Sequence, residues 1–153
     1  MSRPRPFAAE TLPAALWRAP VKIRFGQCDA AGIVYTPNYF DIFNGVVEEF
    51  FPAVLGLDYY GLLRDEKIGL GYAHAEADFF APSLMGERLE VAVAVEKVGG
   101  ASFVLVFHGL KNGAEVVRGR FVVVTTGIGA FRPIPLPESM RAALEAYRER
   151  CGG

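Results

Sequence analysis

The chain has 153 residues, enough for one domain with a buried hydrophobic core. Hydrophobic residues make up 52% of it, charged residues make up 22%, and the formal net charge is -1. This balance excludes the strongly basic surface that attracts nucleic acid or an anionic membrane. Two cysteines are too few for a disulfide framework and favour a reducing compartment. No membrane-spanning apolar run or signal peptide is recognised, so we expect a cytoplasmic protein without nucleic-acid or membrane partners.

The first 20 residues are rich in proline and differ from the rest of the chain. They contain Pro4, Pro6, Pro13 and Pro20, and proline interrupts helices and sheets because it has no backbone N–H. We interpret residues 1–20 as an N-terminal extension that is loosely packed or disordered, with a short helix around residues 14–18. The folded domain is expected to comprise residues 21–153.

A strand and a loop precede the first long helix. Residues 21–25 alternate apolar and basic side chains, which predicts a half-buried strand. The small residues that follow, Gly32 among them, predict a loop that carries one acid, Asp29. Thr36 and Pro37 then indicate a helix start, because a threonine hydroxyl can cap free N–H groups and proline suits the first helical position.

A long apolar helix is predicted from about residue 37 to residue 55, with Gly56 ending it. Its apolar side chains recur at steps of three and four, namely Phe40, Phe43, Val47, Phe50 and Val54. Further apolar residues widen this face, so the helix is expected to lie in the core. The free N–H groups and the positive end of the dipole at its N-terminus favour negative charge there. A short second helix is predicted for residues 58–67, capped by Asp58.

Four long strands are predicted next, over residues 70–80, 88–98, 101–110 and 114–126. The dipeptides Gly99-Gly100 and Asn112-Gly113 are hairpin signals, so the last three strands are expected to form an antiparallel meander. In the first of the four strands the small residues Gly71, Ala73, Ala75 and Ala77 are expected to share one face. Both faces of the sheet are largely apolar and one helix covers only one, so we expect a homodimer or a homotetramer. A last, peripheral helix is predicted for residues 137–150.

The segment from Phe25 to Phe40 carries the most specific motif of the chain. It reads Phe-Gly-Gln-Cys-Asp-Ala-Ala-Gly-Ile-Val-Tyr-Thr-Pro-Asn-Tyr-Phe. This run resembles the signature of the 4-hydroxybenzoyl-CoA thioesterase family of hotdog-fold proteins, and a weaker resemblance extends to about residue 124. The resemblance implies an α+β hotdog fold, in which a five-stranded antiparallel sheet wraps around the long central helix. It also implies acyl-CoA thioesterase activity.

The resemblance places the catalytic acid of the family at Asp29. This carboxylate would attack the thioester carbonyl or would activate a water molecule, and both roles stay open. Free N–H groups at the helix start, chiefly that of Thr36, would stabilise the negative charge that develops on the carbonyl oxygen. The residues assigned to substrate binding are Gly32, Tyr35, Asn38, Tyr39 and Ser102. No metal or redox cofactor is expected, because coenzyme A enters as part of the substrate.

Other residues offer alternatives to this assignment. From its spacing alone, Asp29 is more typical of a residue that caps its own loop, and it is the motif that favours catalysis. Cys28 is a rival nucleophile with no histidine nearby in sequence to activate it. His74 and His108 are interpreted as core or interface histidines, too far apart in sequence to indicate a zinc site. Residues 48–49 are glutamates on the central helix, where another branch of hotdog thioesterases has its carboxylate.

Two departures from the family pattern widen the choice of function. Thr36 stands where the short-chain branch has a histidine and the hydroxybenzoyl branch has an aromatic residue. The turn at residues 98–103 lacks the basic residues that hold the phosphates of coenzyme A. We favour an aryl or other bulky acyl-CoA such as 4-hydroxybenzoyl-CoA as the substrate, hydrolysed to free acid and CoA. The alternatives are a thioesterase that acts on an acyl carrier protein and a non-catalytic hotdog protein that binds an acyl-CoA.

Overall fold

The computed structural model describes residues 3–153. Within them, six strands, β1 to β6, cover Trp17–Lys22, Ile68–Phe79, Arg88–Val98, Ser102–Lys111, Ala114–Gly127 and Arg132–Pro133. Three α-helices, α1 to α3, cover Asn38–Phe50, Tyr59–Arg64 and Glu138–Arg150. Short 3-10 turns occupy Ala9–Thr11 and Phe25–Gln27, and a π-helical turn, Phe51–Leu55, continues α1. The predicted helix of residues 37–55 is therefore confirmed, with its last turn wound more loosely.

Five strands form one antiparallel sheet in the order β1-β3-β4-β5-β2, and the short β6 pairs with β5. Strands β3, β4 and β5 follow one another through tight turns and form the predicted meander. The turn between β4 and β5 has Asn112 and Gly113 at φ values of 50° and 79°, as a type I′ hairpin turn requires. The curled antiparallel sheet around the central α1 confirms the predicted hotdog fold of class α+β.

The first strand lies earlier in the chain than the sequence pattern indicates. β1 covers Trp17–Lys22, so the strand predicted at residues 21–25 is misplaced and the short helix around residues 14–18 is wrong. Pro20 lies inside this strand and is tolerated because β1 is at the edge of the sheet. Residues 17–20, assigned above to the N-terminal extension, are therefore part of the sheet.

The inner face of the sheet, which is the face that contacts α1, carries the aromatic core. Phe43 of α1 stacks on Phe107 of β4 with ring centroids 4.8 Å apart and meets Phe121 of β5 edge-on at 6.0 Å. All three rings are at most 1% exposed. Beneath Phe43 lies Gly119, where an added Cβ would come within 2.7 Å of the ring. The missing side chain at Gly119 therefore lets α1 lie close to β5.

A β-bulge changes which residues of β2 face the helix. The register of β2 against β5 shifts between Tyr72 and His74, so Ala73 is the extra residue. As a result Gly71 faces away from α1, whereas Ala75 faces it. The expected single row of small residues is wrong, because the bulge reverses the alternation of faces within the strand.

The N-terminal segment crosses the outer face of the sheet and is fixed there by a buried acid, Glu115 of β5. Its fully buried side chain accepts hydrogen bonds from Arg118 at 2.6 and 3.0 Å and lies 2.6 Å from Nδ1 of His108. The same carboxylate accepts the backbone N–H of Phe7 at 2.9 Å. Arg118 also donates to the carbonyl of Arg5 and lies 4.4 Å from the centre of the Phe7 ring. This part of the extension is therefore packed against the sheet, contrary to the expectation of loose packing.

Helix α3 lies at the periphery, as predicted, and joins the first strand to the meander. Its buried side chains are Met140, Leu144 and Tyr147. The hydroxyl of Tyr147 donates to the carbonyl of Val93 at 2.6 Å and accepts the N–H of Trp17 at 2.8 Å, so it bridges β3 and β1. None of the helices in residues 3–153 has the length and apolar character needed to cross a lipid bilayer. The cytoplasmic location stays a prediction.

Candidate active site

The loop with the predicted catalytic acid is a tight turn closed by backbone hydrogen bonds. Cys28 and Val34 form an isolated antiparallel bridge, and the N–H of Asp29 donates to the carbonyl of Ile33 at 2.9 Å. The chain reverses at Gly32, whose φ of 79° costs glycine no steric strain. Gly32 therefore shapes the loop that presents Asp29.

The Asp29 side chain is exposed on this loop. One carboxylate oxygen, Oδ1, accepts the backbone N–H of Ala31 at 2.9 Å, so the side chain caps its own loop in the way common for aspartate in turns. No donor in residues 3–153 hydrogen-bonds to the other oxygen. The geometry is therefore compatible with both interpretations of Asp29, because capping uses only one of the two oxygens.

The loop is fastened to the start of α1 through the backbone of Gln27. Its carbonyl accepts the N–H of Tyr35 at 2.9 Å and the side-chain amide of Asn38 at 2.8 Å. Asn38 thus has a clear structural role, because its side chain holds the helix start against the loop. Tyr35, also assigned to substrate binding, is 55% exposed, so more than half of its surface is open to solvent.

One backbone donor at the helix start has no partner. The N–H of Thr36 meets no acceptor in residues 3–153, whereas the N–H groups of Tyr35 and Asn38 are both used and Pro37 has none. The predicted capping role of the Thr36 hydroxyl is wrong, because Pro37 is the N-cap residue and no side chain in the described part of the chain caps this helix. The free N–H of Thr36 lies at the positive end of α1, where it is suited to stabilising a developing oxyanion.

A cavity of about 260 Å³ opens beside this helix start. It is lined by Ile33, Val34, Thr36, Tyr39, Phe79, Phe80, Ala81, Pro82 and Ser83. The walls come from the loop, the first turn of α1, the end of β2 and the segment that follows it. The loop and this segment are joined where the N–H of Val34 donates to the carbonyl of Ser83 at 2.9 Å. Asp29 is on the same loop but outside this lining. The cavity is largely apolar and suits an apolar acyl group.

Two hydroxyl groups interrupt the apolar lining. Tyr39 is 5% exposed and packs against Phe43 and Phe79, with ring centroids 6.3 and 5.6 Å apart. Burial raises the pKa of Tyr39, although the neighbouring Ser83 hydroxyl acts in the opposite direction. Ser83 is 1% exposed, and its hydroxyl has no partner of hydrogen-bond geometry in residues 3–153. The two hydroxyls are therefore neighbours that leave hydrogen-bonding capacity unused.

The structure does not bring Ser102 to this cavity within one chain. Ser102 begins β4, and the adjacent Phe103 packs against Phe51, just beyond the C-terminal end of α1. Because α1 has 13 residues, its two ends are roughly 20 Å apart at about 1.5 Å per residue. A role of Ser102 in binding the same substrate would therefore require a second copy of the chain.

The cysteine, histidines and glutamates considered as alternatives to Asp29 lie in other surroundings. Cys28 is half-buried, and its thiol approaches the carbonyl of Arg24 at 3.5 Å. His108 is the satisfied core histidine that the sequence predicts, whereas His74 is exposed in the single chain. Residues 48–49 lie in the C-terminal half of α1, away from the loop. In residues 3–153 no group of three or more His, Cys, Asp or Glu side chains could hold a metal ion.

Sequence reasoning missed the segment of residues 79–85 as part of the site. Pro82 and Gly86 lie between the predicted strands of residues 70–80 and 88–98 and indicate a loop there, but they do not indicate which segment that loop contacts. That loop pairs with the loop of Asp29, since Ile33 and Leu84 form an isolated antiparallel bridge. Contacts between segments about 50 residues apart leave no signal in the local pattern.

Exposed apolar side chains surround the two joined loops. They are Phe25 at 80% exposure, Tyr35 at 55%, Leu84 at 47% and Met85 at 44%. The ε-methyl group of Met85 approaches to within 3.6 Å of the Cβ position of Gly32, so this apolar rim begins at the loop itself. Exposed apolar groups clustered in this way commonly mark contact with a ligand or another protein.

Comparison with known proteins identifies several relatives. The family profile described as "Thioesterase-like superfamily" matches residues 23–144. A 1,4-dihydroxy-2-naphthoyl-CoA hydrolase of Prochlorococcus marinus (strain NATL1A) is 29% identical over 106 residues, which are 61% of this chain and 67% of that protein. The hydrolase of the same name from Synechococcus elongatus is 28% identical over 124 residues, covering 80% of this chain and 90% of that protein. A solved gentisyl-coenzyme A thioesterase is 29% identical with a TM-score of 0.75, covering 84% of this chain and 99% of the other.

Proposed function

The chain belongs to the thioesterase-like superfamily, and from this we propose that it hydrolyses the thioester of an aromatic acyl-CoA to the free acid and coenzyme A. The observation that supports the proposal most is the free N–H of Thr36, a residue that lines the apolar cavity at the positive end of α1. A carbonyl group placed there would meet a preorganised donor for the negative charge that develops in the transition state.

In this proposal Asp29 supplies the carboxylate that acts on the thioester. The contacts of the Gln27 carbonyl with Tyr35 and Asn38 hold the Asp29 loop beside the helix start. The unbonded oxygen of Asp29 attacks the carbonyl carbon and forms a mixed anhydride that water cleaves, or it removes a proton from the attacking water. Both routes release the acid and the coenzyme A thiol.

An aromatic acyl group is supported by the lining of the cavity and by the relatives. Tyr39, Phe79 and Phe80 line the cavity, and aromatic side chains pack well against a substrate ring. The relatives described above are named for 1,4-dihydroxy-2-naphthoyl-CoA and gentisyl-CoA. We propose 4-hydroxybenzoyl-CoA as the reference substrate, because its acyl group is a single benzene ring with one hydroxyl.

A second copy of the chain is proposed to complete the assembly. Strand β2 lies at the edge of the sheet, is 12 residues long and is exposed along most of its length. A long unpaired edge strand is a template for pairing with another chain. A homodimer or homotetramer built on this edge would also cover exposed side chains of β2 that α1 does not reach.

The test of the proposed reaction is substitution of the acid. Asp29→Asn removes the nucleophilic or basic oxygen while keeping the cap on Ala31, so we expect turnover of 4-hydroxybenzoyl-CoA to fall at least about a hundredfold. Release of coenzyme A is followed with a thiol-reactive dye, and folding is checked by circular dichroism. Asp41→Asn is the matched control, because Asp41 is an exposed acid in the first turn of α1, the helix that follows the Asp29 loop.

The panel of substrates separates the alternative functions. Full activity in Asp29→Asn would contradict the assigned role of Asp29 and leave the hydrolase without its acid. Turnover of an acyl carrier protein thioester but of no acyl-CoA would favour the carrier-protein thioesterase. Saturable binding of acyl-CoA without turnover by the wild-type protein would favour a non-catalytic binding protein.

A further inference from the structure

Ser83 carries a buried polar group that the proposed hydrolysis does not use. The residue is 1% exposed and its hydroxyl oxygen has no hydrogen-bond partner in residues 3–153. Leaving a buried hydroxyl unpaired destabilises the fold, and native proteins avoid it with few exceptions. The exception lies on the wall of the cavity beside the helix start, which is where a ligand could supply the missing partner.

The surroundings of Ser83 indicate what kind of group that partner is. Its neighbours in the lining, Phe80, Ala81 and Pro82, are apolar, and the other side-chain hydroxyl close to it is that of Tyr39. Both hydroxyls can donate and accept, so they match a neutral group that does the same. An ionised group would be poorly stabilised in so apolar a wall.

The cavity also restricts the size of the group that reaches Ser83. Its volume is about 260 Å³, whereas a cavity of about 150 Å³ is enough to bind benzene. Thr36 and Ser83 both belong to this one lining. A single aromatic ring can therefore occupy the cavity with its acyl carbonyl at the free N–H of Thr36 and a substituent at the hydroxyl pair.

We propose that Ser83, together with Tyr39, is the specificity-determining pair that recognises a hydroxyl substituent on the ring of the acyl group. The inference rests on the proposed hydrolysis of an aromatic acyl-CoA and adds the residues that distinguish a hydroxylated ring from an unsubstituted one. A bound ring hydroxyl pairs the Ser83 oxygen, whereas an unsubstituted ring leaves it unpaired. Sites built to bind a substrate hydroxyl discriminate strongly against analogues that lack it, for this reason.

The experiment compares selectivity rather than activity alone. The ratio of kcat/KM for the preferred hydroxybenzoyl-CoA isomer to kcat/KM for benzoyl-CoA is measured in the wild type, Ser83→Ala and Ser83→Cys. We expect the ratio to fall about tenfold in Ser83→Ala, which corresponds to the loss of about one hydrogen bond. Ser83→Cys is slightly larger and keeps a weaker donor at the same position, so its ratio is expected to lie between those of the wild type and Ser83→Ala. Ser139→Ala, an exposed serine of α3, is the matched control and should keep the wild-type ratio.

A second measurement keeps the inference testable if no thioester is turned over. The thermal shift caused by 4-hydroxybenzoate is compared with that caused by benzoate, in the wild type and in Ser83→Ala. A larger shift with 4-hydroxybenzoate in the wild type, lost in the variant, supports the recognition role even where the hydrolysis itself fails. An unchanged kcat/KM ratio in Ser83→Ala, or equal shifts by the two acids in the wild type, would overturn it.

Discussion

Glu115 holds a carboxylate that is shielded from solvent but fully hydrogen-bonded. His108, Arg118 and the backbone of Phe7 all contact it, and its side chain has no exposed surface. A buried charge of this kind is tolerated only while its partners remain. The cluster therefore ties the N-terminal segment to the outer face of the sheet, on the side opposite α1.

Removing one partner of Glu115 should destabilise the fold. Arg118→Met leaves the buried carboxylate without its guanidinium, and we expect a loss of about 3 kcal/mol in the free energy of unfolding, measured with urea. Arg120→Met is the matched control on the same face of β5, because Arg120 pairs with the exposed Glu96. That change should cost less than about 1 kcal/mol. Equal losses in the two variants would contradict a special role for the buried cluster.

The same carboxylate predicts a pH dependence of stability. Burial by itself would raise the pKa of Glu115, but hydrogen bonds from His108, Arg118 and Phe7 outweigh it and lower the pKa from 4.5 to about 2. Because the folded state has the lower pKa, the stabilisation is complete above pH 4.5 and is lost as the pH falls from there towards 2.

Glu115→Gln tests this dependence. The free energy of unfolding of the wild type should fall more steeply between about pH 5 and pH 2 than that of the variant, so the difference between them should shrink on acidification. Glu138→Gln, at an exposed position in the first turn of α3, serves as the control. Its free energy of unfolding should depend on pH in the same way as that of the wild type. A constant difference between wild type and Glu115→Gln would contradict the assignment.

At the scale of elements, one glycine is required for close packing between α1 and the sheet, whereas another only lowers the helix propensity of α1. In Gly119→Ala the new methyl group would overlap the Phe43 ring, and we expect a loss of about 1–3 kcal/mol from overpacking. Because Phe43 lies on α1, the helix start should shift and thioesterase activity should fall as well. Gly45→Ala has open space within 4 Å in the middle of α1 and should stabilise the protein by about 0.5–1 kcal/mol. Urea unfolding of both variants checks the pair, and stabilisation by Gly119→Ala would contradict the packing.

The elements that were predicted correctly have local signals. The spacing of apolar residues at steps of three and four indicates α1, and Asn112-Gly113 indicates the hairpin between β4 and β5. Gly56 does adopt the left-handed conformation, with φ of 67°, that ends the helical segment. The position of β1 was missed because Pro20 suggested an irregular segment, and only pairing with β3 makes that residue part of an edge strand.

The site was predictable only in part, for the same reason. The motif indicates Asp29 and the helix start, and Thr36 can be selected because Pro37 has no N–H. Ser83 has no comparable signal, since its burial depends on a loop contact between segments far apart in sequence. The role of Asn38 as a clamp on Gln27 also emerges only from the three-dimensional arrangement.

At the scale of the whole molecule, the exposed β2 edge predicts self-association. Sedimentation should show a dimer or tetramer, and the melting temperature should rise with protein concentration because assembly stabilises the folded state. Gly71→Asp places a charge on the exposed edge strand, at an open position that faces away from α1, and should weaken association. Ala142→Asp, at an exposed position on α3, should not. A wild-type protein that stays monomeric at all concentrations would contradict the proposed assembly.

The extra residue at Ala73 is a place where the length of this chain can vary. From that point to the end of β2, inward and outward positions are exchanged relative to a regular strand. Deleting Ala73 alone would remove the bulge and leave a regular strand, in which Ala75 and Ala77 stay opposite Phe121 and Gly119 while Glu76 and Asp78 still face outwards. The loss of one residue at the bulge consequently leaves both faces of this strand unchanged, and the loops at either end can absorb further changes in length.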